Sequence, residues 1–145
     1  MTAPLVQFSP VLLDLEAAQE MTQVAVDAAR ALGIPYTITV VDGGANIVAV
    51  TQMDGAALAS IDTSAAKART AVYFGRATAD LAGAVQPGAP LFTIATSCLT
   101  PLAFVAGAVP VRDRAGVVIG AVGAGGGSPQ QDHEVAAAAV AACPA

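Results

Sequence analysis

The 145-residue sequence has no tryptophan and few other aromatic residues: Phe and Tyr together make up 4% of a chain that is 55% hydrophobic. This scarcity excludes a core built around large aromatic rings. The apolar content is mostly Ala, Val, Leu and Ile, which predicts a core of small, closely packed side chains. The length predicts one domain, residues 1–145, that folds without disulfides or metals.

Charged residues are also scarce, at 12% of the chain, and its six Lys and Arg residues are scattered singly. A net charge of −5 without a basic cluster excludes the electrostatic footprint of a nucleic-acid-binding protein. So few charges leave apolar surface uncovered, which is unusual for a monomer. We therefore expect a homo-oligomer with no nucleic-acid partner.

The chain lacks an uncharged apolar run of the roughly 20 residues that a membrane helix needs, and its N-terminus has no basic, signal-like start. These absences predict a cytoplasmic protein with no membrane partner. Cys98 and Cys143 form no C-x-x-C pair and are expected to be reduced thiols. His133 is the single histidine, and without further ligands at metal-site spacing it predicts no metal site.

Hydrophobic periodicity predicts the first half of the fold. An amphipathic helix runs from Asp14 to Leu32, and two β-branched segments, "YTITVVD" and "NIVAVTQM", form a hairpin around the turn "DGGA". A second helix follows in "LASIDTSAAKARTAVYF". Its predicted apolar face is Leu58, Ile61, Ala65, Ala68 and Val72, and a separate polar face carries Ser60, Ser64 and Lys67.

The second half predicts a short helix, a long irregular loop, another hairpin and a last helix. The hairpin runs from about Gly107 to Ala124 around "DRAG". Ser128 as N-cap, Pro129 at the first helical position and Gln131 two residues later predict a capping box at the start of the last helix. The order of elements predicts an α+β fold, a single antiparallel sheet with helices packed on it.

The glycine-rich stretch "AVGAGGGSPQQDHEV" matches neither phosphate-binding fingerprint, because G-x-G-x-x-G and Gly-Lys-Ser/Thr are both missing. "SAAK", Ser64 to Lys67, matches the S-x-x-K of serine acylases but lacks their companion motifs. Asp54 at a strand end and Lys67 on the next helix form a better candidate pair. A carboxylate facing an ammonium group suits acid–base catalysis or an anion clamp, whereas a turn cap and a solvated lysine would explain the same residues.

Several segments together resemble the GlcG/HbpS family, also called heme-degrading-domain or PduO C-terminal-like proteins. They are "LDLEAA", "VVDGGANIVAV", "MDGA", "SIDTSAAKARTAVYFGR" and "AGAVPVRDRAGVVIGAVGAGGGSPQQD", and they span nearly the whole chain. The resemblance implies a profilin-like antiparallel sheet flanked by helices and homo-oligomers up to octamers. The resemblance determines the function less closely than the fold, since members include heme-binding sensors, accessory proteins and small-molecule enzymes.

The sequence departs from the family pattern at Gln52, where Arg usually precedes Met-Asp-Gly-Ala, at Ala108, and in "ATSCLTPLAF". We expect these segments to surround a pocket for a small organic ligand. The available heme-iron donors are few: His133, Met53, Cys98, Tyr36 and Tyr73. The predicted ligand-binding residues are Gln52, Met53, Ser60, Ser64, Cys98, Thr100, Phe104 and His133.

Three functions follow as hypotheses. The first is an enzyme without a cofactor that moves protons on a small carbonyl or conjugated acid, as an isomerase, tautomerase, deaminase or cyclase. In it, Asp54 is the acid–base group and Lys67 pairs with a substrate carboxylate or a developing enolate. The second is a heme- or tetrapyrrole-binding protein without catalysis. The third is an oligomeric accessory protein with no ligand.

Overall fold

The structure, a computed structural model that describes residues 13–143, begins with helix α1 (Leu15–Leu32). The Asp14 carboxylate caps the helix by accepting a hydrogen bond from the Ala17 amide at 2.8 Å. Gly33 ends it in the left-handed conformation (φ 71°), which glycine adopts without steric cost. The predicted first helix is confirmed.

Four antiparallel strands form one sheet: β1 (Thr37–Asp42), β2 (Ile47–Gln52), β3 (Ala108–Arg112) and β4 (Val118–Gly125). Their order across the sheet is β2-β1-β4-β3, so both predicted hairpins are present and their buried strands pair at the centre. The Asp42 carboxylate shapes the first turn by accepting hydrogen bonds from the amides of Gly44 and Asn46.

Helices cover both faces of the sheet. Helices α1 and α4 (Pro129–Ala141) pack on one face, and α2 (Ser60–Phe74) packs on the other, while α3 (Thr78–Leu81) is a single turn after α2. Two 3-10 turns, Ala82–Val85 and Ile94–Ser97, lie in the long connection to β3. The predicted α+β fold is confirmed. No helix within residues 13–143 is long and apolar enough to cross a membrane.

Alternate residues of β1 point to two different interiors. Ile38 and Val40 join the main hydrophobic core beneath α1 and α4. Thr37 and Thr39 point toward α2, where their hydroxyls pair with those of Ser60 at 2.7 Å and Ser64 at 2.8 Å. The interface below α2 is therefore small and partly polar, with each buried hydroxyl in a hydrogen bond.

The predicted apolar face of α2 is correct only in part: Ala68 is buried and Val72 packs against the same cluster, but the two larger predicted residues are exposed. Leu58 lies before the helix and is 87% exposed, and Ile61 is 40% exposed, whereas Ser60, Ser64 and Lys67 are buried. The reason is the close approach of α2 to β4. A Cβ on Gly123 would collide with the backbone oxygen of Ser64, so only short side chains fit between the two elements.

We expect Gly123→Ala to lower the free energy of unfolding by about 1–3 kcal/mol, because the added methyl group forces α2 away from β4. Gly83→Ala is the matched control, since a Cβ at Gly83 meets no atom within 4 Å. Urea unfolding of both variants gives the comparison. Equal losses of stability in the two variants would contradict the close-packing explanation.

Candidate functional site

A cleft of about 310 Å³ lies where the N-terminal ends of α2 and α4 meet. Small apolar side chains form its walls, chiefly Ala57, Ala59, Ala103 and Val105, together with the backbone of the glycine turn before α4. Its polar side chains are Ser60, Thr63, Lys67 and Asp132. A mostly apolar cavity with a few converging polar groups is the usual form of a small-ligand site.

The charged groups of this cleft form a buried ion pair. Lys67 and Asp132 are 5% and 3% exposed, and the Lys67 Nζ lies 2.7 Å from Asp132 Oδ2. Lys67 also donates to the backbone oxygen of Ala124 at 3.3 Å, and Asp132 Oδ1 accepts from the Gly127 amide at 2.8 Å. These bonds satisfy the carboxylate and offset the cost of burying both charges.

Gly107 makes room for this ion pair. Its φ of +141° is a conformation that glycine tolerates best, and a Cβ there would lie 2.8 Å from Lys67 Nζ and 2.9 Å from Asp132 Cβ. A larger residue would therefore displace the pair.

Tyr36 lies beside the ion pair with an unsatisfied hydroxyl. The residue is fully buried, and its hydroxyl forms no hydrogen bond with any residue between 13 and 143. A Cβ on Gly127 would collide with that hydroxyl. Burial, and then the neighbouring Asp132 carboxylate, raise the pKa of Tyr36 far above its ordinary value.

Helix α4 begins as predicted. The Ser128 side chain accepts from the Gln131 amide, and the Gln131 side chain accepts from the Ser128 amide, which completes the capping box. This rigid start places Asp132 in the first turn of α4, facing the cleft.

Of the predicted site residues, the structure places Lys67 and Ser60 in the cleft. It does not bring Asp54 to them: Asp54 is exposed and lines a separate depression with Gln52 and Met53. The expected Asp54–Lys67 arrangement is therefore wrong, because the buried ammonium of Lys67 is already paired with Asp132.

The remaining predicted residues lie outside the cleft. Ser64 is buried against Thr39, Phe104 packs edge-on against Phe74, and Thr100 lines a third depression beside α2. Cys98 is a half-buried free thiol. His133 is half-buried on α4, and its Nδ1 is enclosed with no hydrogen-bond partner in the described chain.

Sequence reasoning missed the role of Asp132. Its position near a helix start is equally typical of a carboxylate that interacts with the helix dipole, and 65 positions separate it from Lys67. A lysine amid Ala residues on the buried side of a helix is the available signal that a carboxylate must lie nearby.

The comparisons with known proteins identify the family. Residues 13–141 match the family described as "Haem degrading protein HbpS-like". The chain belongs to this HbpS-like family. An uncharacterized 15.0 kDa protein from the dhaT–dhaS intergenic region of Citrobacter freundii is 36% identical over 88% of this chain and 89% of its own length. The corrinoid adenosyltransferase PduO of Salmonella typhimurium is 33% identical over 92% of this chain. The matched region is only 40% of the length of PduO.

Solved structures agree with this assignment. The chain resembles protein ORFY of Klebsiella pneumoniae, with a TM-score of 0.86, 31% identity and 96% of each chain covered. It resembles a PduOC:heme complex with a TM-score of 0.83 and 32% identity, covering 90% of this chain and 94% of the other. HbpS matches with a TM-score of 0.81 and 30% identity over 97% of each chain.

These matches correct one expectation. The prediction of a protein without a cofactor is wrong: the family is described by heme degradation, and a relative that matches most of this chain is solved as a heme complex. The chain has few side chains that can bind heme iron, but iron ligation is only part of heme recognition, because burial of the apolar macrocycle also contributes to binding.

The buried Tyr36 hydroxyl predicts a loss of stability in alkali. A free tyrosine ionises near pH 10, and the raised pKa of Tyr36 keeps it protonated in the folded state at higher pH. Above about pH 10 the unfolded chain therefore holds fewer protons than the folded one, so folding stability falls as the pH rises.

We expect Tyr36→Phe to reduce this alkaline loss, measured as the change in unfolding free energy between about pH 9 and about pH 11. The half-exposed Tyr73 provides the matched control, Tyr73→Phe. Burial also raises the pKa of the Cys143 thiol, but that contribution is common to all three proteins and cancels in the comparison. If Tyr36→Phe lost as much unfolding free energy as the wild type between about pH 9 and about pH 11, Tyr36 would not be the cause of the alkaline loss.

Proposed function

We propose that this protein binds heme. The observation that carries the proposal is the match to the PduOC:heme complex over 90% of this chain. The family description supports the same ligand. When bound, heme would supply an iron atom that takes a ligand from the protein, and it would give an intense Soret absorption band.

The cleft suits part of a heme molecule. Its Ala, Val, Pro and Gly lining offers apolar surface to a porphyrin edge, and its volume of about 310 Å³ lies at the lower end of small-ligand pockets. No His, Cys, Met or Tyr among residues 13–143 lines this cleft, although these are the residues that ordinarily hold heme iron. The cleft therefore supplies surface for the ring, and the iron ligand must come from another part of the protein.

We assign that role to His133. The residue is half-buried, its enclosed Nδ1 leaves Nε2 as the nitrogen that could reach iron, and a neutral imidazole offers a lone pair without first losing a proton, unlike a thiol or a phenol. Met53 is less available because its sulfur accepts a hydrogen bond from the Tyr36 amide at 3.4 Å. Tyr36 and Met21 are fully buried.

A hemin titration tests the proposal. We expect a Soret band that saturates at a defined stoichiometry, and we expect His133→Ala to shift the band and weaken binding by about tenfold or more, because the iron loses an axial ligand. Met53→Ala and Cys98→Ala are matched controls that keep the wild-type spectrum. Broad, non-saturating absorbance of the wild type would refute heme binding, and a wild-type spectrum in His133→Ala would refute only the ligand assignment.

The acid–base enzyme remains a prediction. Its expected pair, Asp54 and Lys67, is divided between two surfaces, which removes the geometric argument for it. The only carboxylate that contacts Lys67 within the described residues is Asp132.

We also infer that the protein self-associates through the outer side of α2. Ile61 and Tyr73 are exposed near the two ends of α2, and the neighbouring loop carries Leu99, which is fully exposed. The loop is held against α2 by Arg69, which donates to the Pro101 backbone oxygen at 2.9 Å. Large exposed apolar side chains are typical of a contact between protein chains.

Light scattering during gel filtration tests this inference. We expect the wild-type mass to be a multiple of the 14.2 kDa chain and Leu99→Glu to give a smaller species, because a charge cannot be buried in an apolar contact without cost. Val117→Glu, at an exposed apolar residue of the β3–β4 turn, is the control. A wild-type mass of one chain would contradict self-association.

A further inference from the structure

The Lys67 ammonium has one N–H group that the protein does not use. A lysine ammonium carries three donors, and Lys67 gives two of them to Asp132 and Ala124. The third has no partner in the part of the chain that the structure describes, and Lys67 lines the cleft. A buried donor without an acceptor is costly, so a ligand that supplies an acceptor at this place is favoured.

Asp132 does not supply an acceptor for this third N–H group. One oxygen of that carboxylate binds Lys67, and the other accepts from the Gly127 amide. The ion pair is neutral as a whole, and of the described residues only Lys67 and Asp132 bring a charge to the cleft lining. The pair alone therefore does not decide the charge of the ligand.

The start of α2 favours an anionic acceptor. The first turns of α2 and α4 both contribute to the cleft lining, through Ser60, Thr63 and Pro129. The start of α4 is already capped and carries Asp132, whereas the exposed Asp62 of the first turn of α2 lines a different depression, so the positive end of the α2 dipole stays available at the cleft.

Helix α2 also begins without a side-chain cap. Its N-cap residue is Ala59, and the amides of Ile61 and Asp62 donate to no described residue. Helix α4 differs, because Ser128 and Gln131 cap it. Free donors are thus available at α2 as well as on Lys67.

We propose that this cleft binds a carboxylate group, with Lys67 as the hydrogen-bond donor at its floor and the start of α2 as a second donor. The alanine walls would contact an apolar body attached to that carboxylate. Two sources share this chemistry: a propionate of heme, in which case the inference rests on the proposed function, and a free monocarboxylic acid, in which case it does not.

Benzoate is the probe, and isothermal titration calorimetry on the full chain is the measurement. We expect saturable binding of benzoate and at least about tenfold weaker binding of benzamide, which has the same shape without the charge. We expect the Lys67→Met/Asp132→Leu double variant to bind benzoate at least about tenfold more weakly than the wild type. This variant removes both members of the pair, so that no charge is left buried alone. Arg30→Met removes an exposed cation outside the cleft and is the matched control.

A second variant keeps the proposal testable if the double variant fails to fold. Val105→Phe enlarges an exposed residue of the cleft wall, leaves the ion pair intact and is expected to abolish benzoate binding. Benzoate binding that is absent from the wild type, or equal in the wild type and Val105→Phe, would overturn the inference.

A competition experiment with hemin distinguishes a heme propionate from a free monocarboxylic acid as the source of the carboxylate. If a propionate occupies the cleft, benzoate competes with hemin, and hemin dimethyl ester binds more weakly than hemin. If benzoate binds through Lys67 but does not compete, the ligand is a free acid. Hemin that fails to bind at all would refute the proposed function, while the benzoate titration still decides the inference.

Discussion

The ion pair between Lys67 and Asp132 holds the two sides of this protein together at the site. Lys67 comes from α2 on one face of the sheet, and Asp132 comes from α4 on the other. Two charges with so little exposure are stable only when each also has hydrogen-bonding partners. Those partners are the backbone of Ala124 and Gly127, so the end of β4 and the glycine turn are positioned by the same contacts.

This arrangement depends on short residues. Gly107 and Gly123 leave space for Lys67 and for the backbone of α2, and a side chain at either position would push the elements apart. Helix α2 therefore approaches the sheet closely enough for serine and threonine hydroxyls to meet at 2.7 and 2.8 Å. The close approach of α2 to the sheet thus depends on short residues on both sides of the interface.

Sequence patterns predicted the features that depend on neighbouring residues. The first helix, both hairpins and the Ser128–Gln131 capping box depend on groups only a few positions apart, so local propensity decides them. The orientation of α2 could not be predicted in this way. A hydrophobic periodicity rule assigns the larger apolar residues to the core, but here the opposing glycines admit only small side chains and paired hydroxyls.

The sequence by itself determined the fold class, the starts of α1 and α4 and the candidate residue Lys67, because periodicity, caps and turns act over short distances. Only the tertiary structure decided which carboxylate Lys67 meets. Asp54 lies 13 positions from Lys67 yet faces another surface, whereas Asp132 lies 65 positions away and contacts it. The physical reason is desolvation: a buried ammonium must have a charged partner, and the packing of α2 and α4 on opposite faces of the sheet determines which one can reach it.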